Sequence, residues 1–183
     1  MFVQPVSAAA LPGYSAGTWV IDADHSEVAF SVKHLGIAKV RGRFDSFEGR
    51  IVTSENPLAS LVTATIHTDS VSTGNAQRDN HVRGEDFLHT SAFPTMTFVS
   101  TGVRAAGDGF LVDGELTLRG VTRPATLTLE LNGFGTGFDG KPAAGFSAAT
   151  EIRRSDFGVS AGPADAVVGD VIKISLDVEA NQL

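Results

Sequence analysis

Polar chemistry has few places to reside in this 183-residue chain. The densest is Arg78-Asp79-Asn80-His81, where a guanidinium, a carboxylate, an amide and an imidazole follow one another. Two uses of it stand side by side. Arg78 or His81 can donate hydrogen bonds to the polar head of a bound molecule. Alternatively, Arg78 and Asp79 form an ion pair that fixes a helical segment, since such pairs can specify structure. Asp24-His25-Ser26 has the composition of a nucleophile relay, but successive residues of an extended chain point to opposite faces, so these three do not line up. A Gly-x-Ser-x-Gly elbow is absent. Glu85-Asp86 is a carboxylate pair in an irregular stretch, a place for helix capping or contact with solvent. The five histidines, His25, His34, His67, His81 and His89, show neither His-x-His nor His-Glu-x-x-His spacing. A metal site needs converging ligands and outer contacts that hold them; only His25 and His34 are expected to approach each other, across strands. No catalytic residue, metal ligand or cofactor is assigned, and the chain is read as a non-enzyme.

A folded scaffold must place these residues. Apolar residues make up 42% of the chain and charged ones 19%, a globular and not a disordered balance. The length suits one domain with a substantial core and is short for two. A net charge of -7 argues against the clustered basic footprint of a nucleic-acid binder and against a polybasic membrane patch. With no cysteine, disulfides, zinc ribbons and thiol nucleophiles are excluded. The opening segment MFVQPVSAAALPG has no Lys or Arg, and Pro5 and Pro12 interrupt its apolar run, so it lacks the form of a secretory signal. It is read as a flexible arm over residues 1–16, ahead of a single domain over 17–183, in a cytoplasmic protein. No run approaches the ~20 apolar residues of a membrane span, so stable membrane insertion is not expected.

The domain reads as all-β. Val28, Phe30 and Val32 alternate with Ala29, Ser31 and Lys33; Val62, Ala64 and Ile66 alternate with Thr63, Thr65 and His67. The same period of two recurs over 95–98, 110–118, 126–131 and 172–179, which places one face of each strand inside. Asn56-Pro57, Gly107-Asp108, Arg119-Gly120 and Asp139-Gly140 separate these runs, as the short turns of an antiparallel meander would. The stretch from Ser72 to Pro94 breaks the pattern. Residues 75–83 there suit a short helix stopped by Gly84, placed after four strands and able to close one mouth of a barrel.

About eight amphipathic strands cover their apolar faces either as two packed sheets or as one closed barrel. The interior of an eight-stranded barrel is filled by side chains or by one small ligand. The inward set mixes bulky residues with Ala64, Gly114, Ala144 and Ala148, which leave space; unfilled apolar space is costly. In a hollow barrel, core and ligand wall are one surface, so Phe30, Phe44, Phe98, Phe146 and Phe157 serve as either. A chain of about 40 carbons, at a ceiling of ~0.3 kcal/mol per heavy atom, still reaches high affinity without strong polar contacts.

Ordered motifs run through the chain: Trp19-Val-Ile-Asp-Ala-Asp-His-Ser26, Val28-Ala-Phe-Ser-Val-Lys-His-Leu-Gly36, Val40-Arg-Gly-Arg-Phe44, Ser70-Val-Ser-Thr-Gly74, Arg78-Asp-Asn-His-Val-Arg83, Phe93-Pro-Thr-Met-Thr-Phe98, Gly114-Glu-Leu-Thr-Leu-Arg-Gly-Val-Thr-Arg-Pro124 and Ile152-Arg-Arg-Ser-Asp-Phe-Gly158. In this order the chain resembles the YceI family of lipocalin-like polyisoprenoid-binding proteins, over residues 17–179. Ala23 stands where the family often has Pro, and Val82 where it often has Leu; neither alters the chemistry. The resemblance implies an antiparallel eight-stranded up-and-down barrel with a short helical insert near one opening, and a long isoprenoid tail in its lumen. The residues expected to contact that lipid are Phe30, Val32, His34, Phe44, Ile66, Arg78, His81, Phe87, Phe98, Leu116, Leu118, Phe146 and Phe157. The expected role is storage or transport of a polyprenyl or quinone-type lipid, with a homodimer left open. An enzyme working in the same cavity and a filled barrel with a stress-related structural role are the alternatives.

Overall fold

Every alternating run forms a strand in the computed structural model, which describes residues 11–183. The strands are β1 (Gly17–Ile21), β2 (Glu27–His34), β3 (Ala38–Phe44), β4 (Phe47–Thr53), β5 (Leu61–His67), β6 (Val71–Ser72), β7 (Thr95–Ala106), β8 (Gly109–Leu118), β9 (Val121–Thr136), β10 (Pro142–Arg153) and β11 (Val168–Gln182). These segments make eight barrel strands, because the first three are each broken once. β1 and β2 are halves of one strand, as are β3 and β4, and β5 and β6. The breaks adjoin: Asp22 donates its N–H to Glu179 of β11, Asp45 to Ser70, and His67 to Ser46. Asp22 caps the first break by accepting the Asp24 N–H at 3.0 Å. The wall is therefore creased at one level across three neighbouring strands.

β11 closes the ring. On one side it pairs with β10 along Val171 to Asn181; on the other it pairs with β2 and then with β1, Trp19 opposite Gln182. The connectivity is up-and-down throughout, and closure leaves few free edges. Two seams remain at one end. β9 pairs with β10 only from Thr128 onward, so residues 121–127 have β8 as their one partner, and β10 beyond Ala149 has only β11. Pro124 lies in that free stretch, where its missing N–H leaves no ladder bond unmade. The second seam lies between β6, which pairs with β3 alone, and β7.

The insert covers this second seam. Its helix, α1 (Ala76–Arg83), starts one residue later than the spacing suggests, because Asn75 is the cap and accepts the Arg78 N–H at 2.9 Å. It follows the third barrel strand, six strand segments into the chain, and not a fourth strand, since the creases divide what the sequence shows as separate runs. Gly84 ends it with φ -76, an extended and not a left-handed cap. Arg83 donates to the Asp69 and Val71 carbonyls on the β6 side, while Arg119 of the β8–β9 turn donates to Glu85 and, at 2.6 Å, to Phe87. The insert is thus fastened to both leaves of the open end.

Val28, Phe44, Ile66, Met96, Phe98 and Leu116 lead the buried interior, and Trp19 with Ala144 and Ala180 forms a second cluster toward the opposite end. Trp19 settles its indole N–H on Thr53 at 2.9 Å. The first ten residues of the expected N-terminal arm lie outside the described residues. Residues 11–16 run across the end opposite the insert, where the Tyr14 hydroxyl donates to the Ser54 carbonyl at 2.6 Å and its ring meets Phe134 edge-on. The β2–β3 turn holds Leu35 and Gly36 at φ +56 and +68; a left-handed leucine costs roughly 1–2 kcal/mol. No helix among the described residues is long and apolar enough to cross a membrane.

Candidate functional site

Inward side chains leave two spaces inside the barrel, end to end. The lobe under the insert holds about 260 Å³ and the other about 180 Å³. Val28, Met96 and Ile174 line both and form the waist between them. The far lobe is walled by Val62, Phe98, Leu127, Phe146 and further apolar side chains. The insert-end lobe differs, since Lys33, His34, Arg78, His81 and Arg154 join Phe30 and Phe87 around it. A larger concavity, about 1040 Å³, lies along the barrel's outer face among Ser31, Arg41, Arg43, Glu151 and Lys173. Its wall is half polar and carries the charges of Arg41, Arg43, Glu151 and Lys173, so it offers less of the apolar burial that drives affinity than the lumen does. The lumen is the stronger candidate.

The expected contact residues divide between the lobes. Phe30, Val32, His34, Phe44, Arg78, His81, Phe87 and Leu118 line the insert-end lobe, and Ile66, Phe98, Leu116 and Phe146 line the far one. Phe157 differs. It ends the 3-10 turn Arg154–Phe157 and is 2% exposed within the packed core, lining neither lobe.

At the insert, Thr73 organises the polar cluster. Asp79 accepts both its N–H, at 2.7 Å, and its hydroxyl, at 2.6 Å. Arg78 donates through Nε to the Thr73 hydroxyl oxygen at 2.8 Å and through Nη2 to its carbonyl at 2.7 Å. The anticipated direct Arg78–Asp79 ion pair is replaced by this shared residue, because adjacent helical side chains diverge by about 100°. The Thr73 hydroxyl bond holds the Asp79 carboxyl below its ordinary value against burial; the Thr73 N–H and the charges of Arg83 and Arg78 add to it. His81 Nε2 meets Asp86 at 2.9 Å and its ring stands edge-on to Phe87, 5.0 Å between centroids. Both side chains are held at the rim of the lobe, and Arg78 Nη1 is left without a protein acceptor among the described residues.

The histidines do not gather. His67, His81 and His89 each face a different carboxylate, Glu48, Asp86 and Glu85. His34 ends β2 while His25 precedes it, so the anticipated approach of these two does not occur: they occupy opposite ends of one strand. His25 meets Asp22 at 2.8 Å instead. That contact lowers the Asp22 pKa and raises that of His25. With Glu179 these two bring three ligand-type atoms within 4.8 Å of one another. Their strongest mutual contact is already the hydrogen-bonded pair. Ser26 is taken by Glu179, donating to its carbonyl and accepting its N–H, so Asp24-His25-Ser26 makes no relay.

Two residues that line the lumen, and one at the seam beside it, escaped the sequence reading. Met96 narrows the waist. Arg154 is 6% exposed and donates to the carbonyls of Val159, Val168 and Gly169 and to the Asp165 carboxylate, fixing the loop between β10 and β11 beside the lobe. Arg123 shares a strand face with Ala125 and Leu127 and reaches the Asp156 carbonyl at 3.2 Å, across the β9–β10 seam. A cation with inward parity in an apolar alternation was the available signal for it.

A family model described as YceI-like domain matches residues 19–180. The chain belongs to this family. Protein YceI of Escherichia coli O17:K52:H18 is 41% identical over 156 residues, covering 84% of this chain and 82% of that protein. The Campylobacter jejuni YCEI crystal structure superposes with a TM-score of 0.73 at 32% identity, covering 82% of this chain and 90% of that one. A polyisoprenoid binding domain from Saccharophagus degradans, implicated in plant cell wall breakdown, has a TM-score of 0.73 at 19% identity. It covers 90% of this chain and 98% of its own, a likeness of fold. The YceI-like barrel thus comes with a lumen whose polar donors collect at one end.

Proposed function

We propose that this YceI-like barrel is a non-catalytic binder that stores or carries a long-chain isoprenoid lipid. The tail runs through the waist into the far lobe, and the polar head rests at the insert among Arg78 and His81. The carrying observation is the asymmetry of the lumen, two apolar lobes end to end that share Val28, Met96 and Ile174 as walls, with cationic and imidazole donors at one mouth only. The fold shared with a polyisoprenoid binding domain supports the same ligand class. The non-catalytic reading rests on Asp79 and Arg154 being spent on structure, Asp79 held by Thr73 and Arg154 by backbone carbonyls.

Affinity then comes from apolar burial. Each five-carbon isoprene unit adds about 1.5 kcal/mol at the ceiling of ~0.3 kcal/mol per heavy atom, or about tenfold in Kd. Titration with prenyl alcohols of graded length tests this. The expected result is a stepwise gain of up to about tenfold per unit until the lumen is filled; affinity indifferent to length overturns the reading.

A further inference from the structure

The insert-end mouth of the lumen carries an unusual rim. Lys33, His34 and Val167 line the lobe there, and beyond them the β2–β3 turn projects Leu35, Gly36 and Ile37. Leu35 is 56% exposed and Ile37 88%. Leu35 also adopts φ +56, a backbone that glycine or asparagine takes with less strain. Two bonds hold the turn, Leu35 N–H to the Val167 carbonyl at 2.8 Å and Ile37 N–H to that of His34 at 3.2 Å. Neither requires a leucine or an isoleucine side chain in water.

Beneath the tip the charge is equally unexpected. Lys33 stands directly opposite Lys39 across the β2–β3 ladder, and Arg41 follows opposite Ser31. Like charges directly opposed across strands are destabilising unless something anionic meets them. Among the described residues no carboxylate lies within 4.0 Å of Lys33, Lys39 or Arg41. The acids of the neighbouring loop are engaged elsewhere, Asp165 with Arg154 and Asp170 with Ser155. In a chain of net charge -7 this is a local positive stripe under an apolar tip.

We infer that the Leu35-Gly36-Ile37 tip, with Lys33, Lys39 and Arg41 beneath it, is a docking surface for an anionic lipid bilayer. Leu35 and Ile37 enter the headgroup layer, the cations meet lipid phosphates, and the mouth of the lumen is brought to the membrane surface. Charge complementarity selects this occupant: an apolar tip with opposed cations beneath it matches, in order of depth, the acyl boundary and the phosphate layer of an anionic bilayer. Phe138 supplies the contrast: it is more exposed than either, at the β9–β10 turn of the opposite end, but is flanked by Asp139 and Lys141 without an opposed basic pair. The inference takes its purpose from the carrier reading, and its test does not depend on it.

The test is co-sedimentation of the full chain with vesicles of phosphatidylcholine containing about one-third phosphatidylglycerol, a composition giving the negative surface potential that draws basic residues. Binding is expected to weaken with salt and to vanish without phosphatidylglycerol. Lys33→Ser and Lys39→Ser should each weaken it about fivefold, Leu35→Asn with Ile37→Ser should remove most of it, and Phe138→Ser should leave it unchanged. All these positions are exposed, and thermal midpoints at or above that of the wild type establish that the variants fold. No sedimentation of the wild type, full retention in the tip variants, or loss in Phe138→Ser overturns the docking surface. A fluorescent geranylgeranyl probe titrated without vesicles reports the lumen separately, so failure of the carrier reading is distinguished from failure of docking.

Discussion

Thr73 and Arg154 show how single residues hold the open end together. Arg154 is the more exacting case, since its buried guanidinium meets three backbone carbonyls at 3.0 Å or less, and that of Asp165 at 3.4 Å. Arg154→Ala leaves them unpaired at about 1–3 kcal/mol each, so urea unfolding is expected to show a loss of about 3 kcal/mol or more. A loss below about 1 kcal/mol would mean water replaces the side chain there. Acid sensitivity belongs to the carboxylates. Asp113 takes a two-pronged contact from Arg104, at 2.7 and 2.8 Å, and a hydroxyl bond from Thr126. These lower its pKa from 3.8 to about 2. Asp22, Asp79 and Asp170 are lowered as well. A carboxyl with a depressed folded pKa contributes stability above its unfolded value, and that contribution fades as pH falls through the folded one. The thermal midpoint is therefore expected to hold down to about pH 4 and then to drop toward pH 2, with a shallower drop in Asp113→Asn. A midpoint insensitive to that window contradicts the assignment.

At the scale of elements, the decisive features are the crease in the first three strands and the seam beside Pro124. Residues 121–127 of β9 pair on one side only, whereas 128–136 pair on both. Amide exchange is expected to be faster over 121–127 and over 150–153 than over 128–136, and to slow when the lumen is occupied. Uniform protection along β9 would contradict an open seam. Alternation made the strands legible, from Val28-Phe30-Val32 to Ile172-Ile174-Leu176, because one buried face imposes a period of two. Turn chemistry was equally readable at Arg119-Gly120, where both residues have positive φ. The crease was not readable. Asp22–Ser26 looks like any polar turn, and only the long-range bond of Asp22 to Glu179 shows the strand resuming in line. Phe157 was misplaced for a related reason: Arg154–Phe157 is a 3-10 turn with no strand period to say which way its side chains point. Of the thirteen expected contact residues the other twelve line the lumen: nine lie on strands, where inward parity and cavity wall coincide in a hollow barrel, and Arg78, His81 and Phe87 reach it from the insert.

For the whole molecule, the carrier reading requires the two lobes to open into one passage with one polar mouth. Met96 sits at its waist with Val28 and Ile174. Met96→Trp is expected to close the passage, weakening long prenyl chains by up to about tenfold for each isoprene unit excluded while sparing short ones. Equal loss for all lengths would instead indicate a damaged fold, which the thermal midpoint detects. The most direct measurement is native mass spectrometry of the protein purified from its own host, followed by solvent extraction and identification of whatever is bound. A bound prenyl or quinone-type lipid is predicted, lost on extraction with the mass of the bare chain restored. A bare chain as purified that also takes up no added prenyl lipid would contradict the carrier reading.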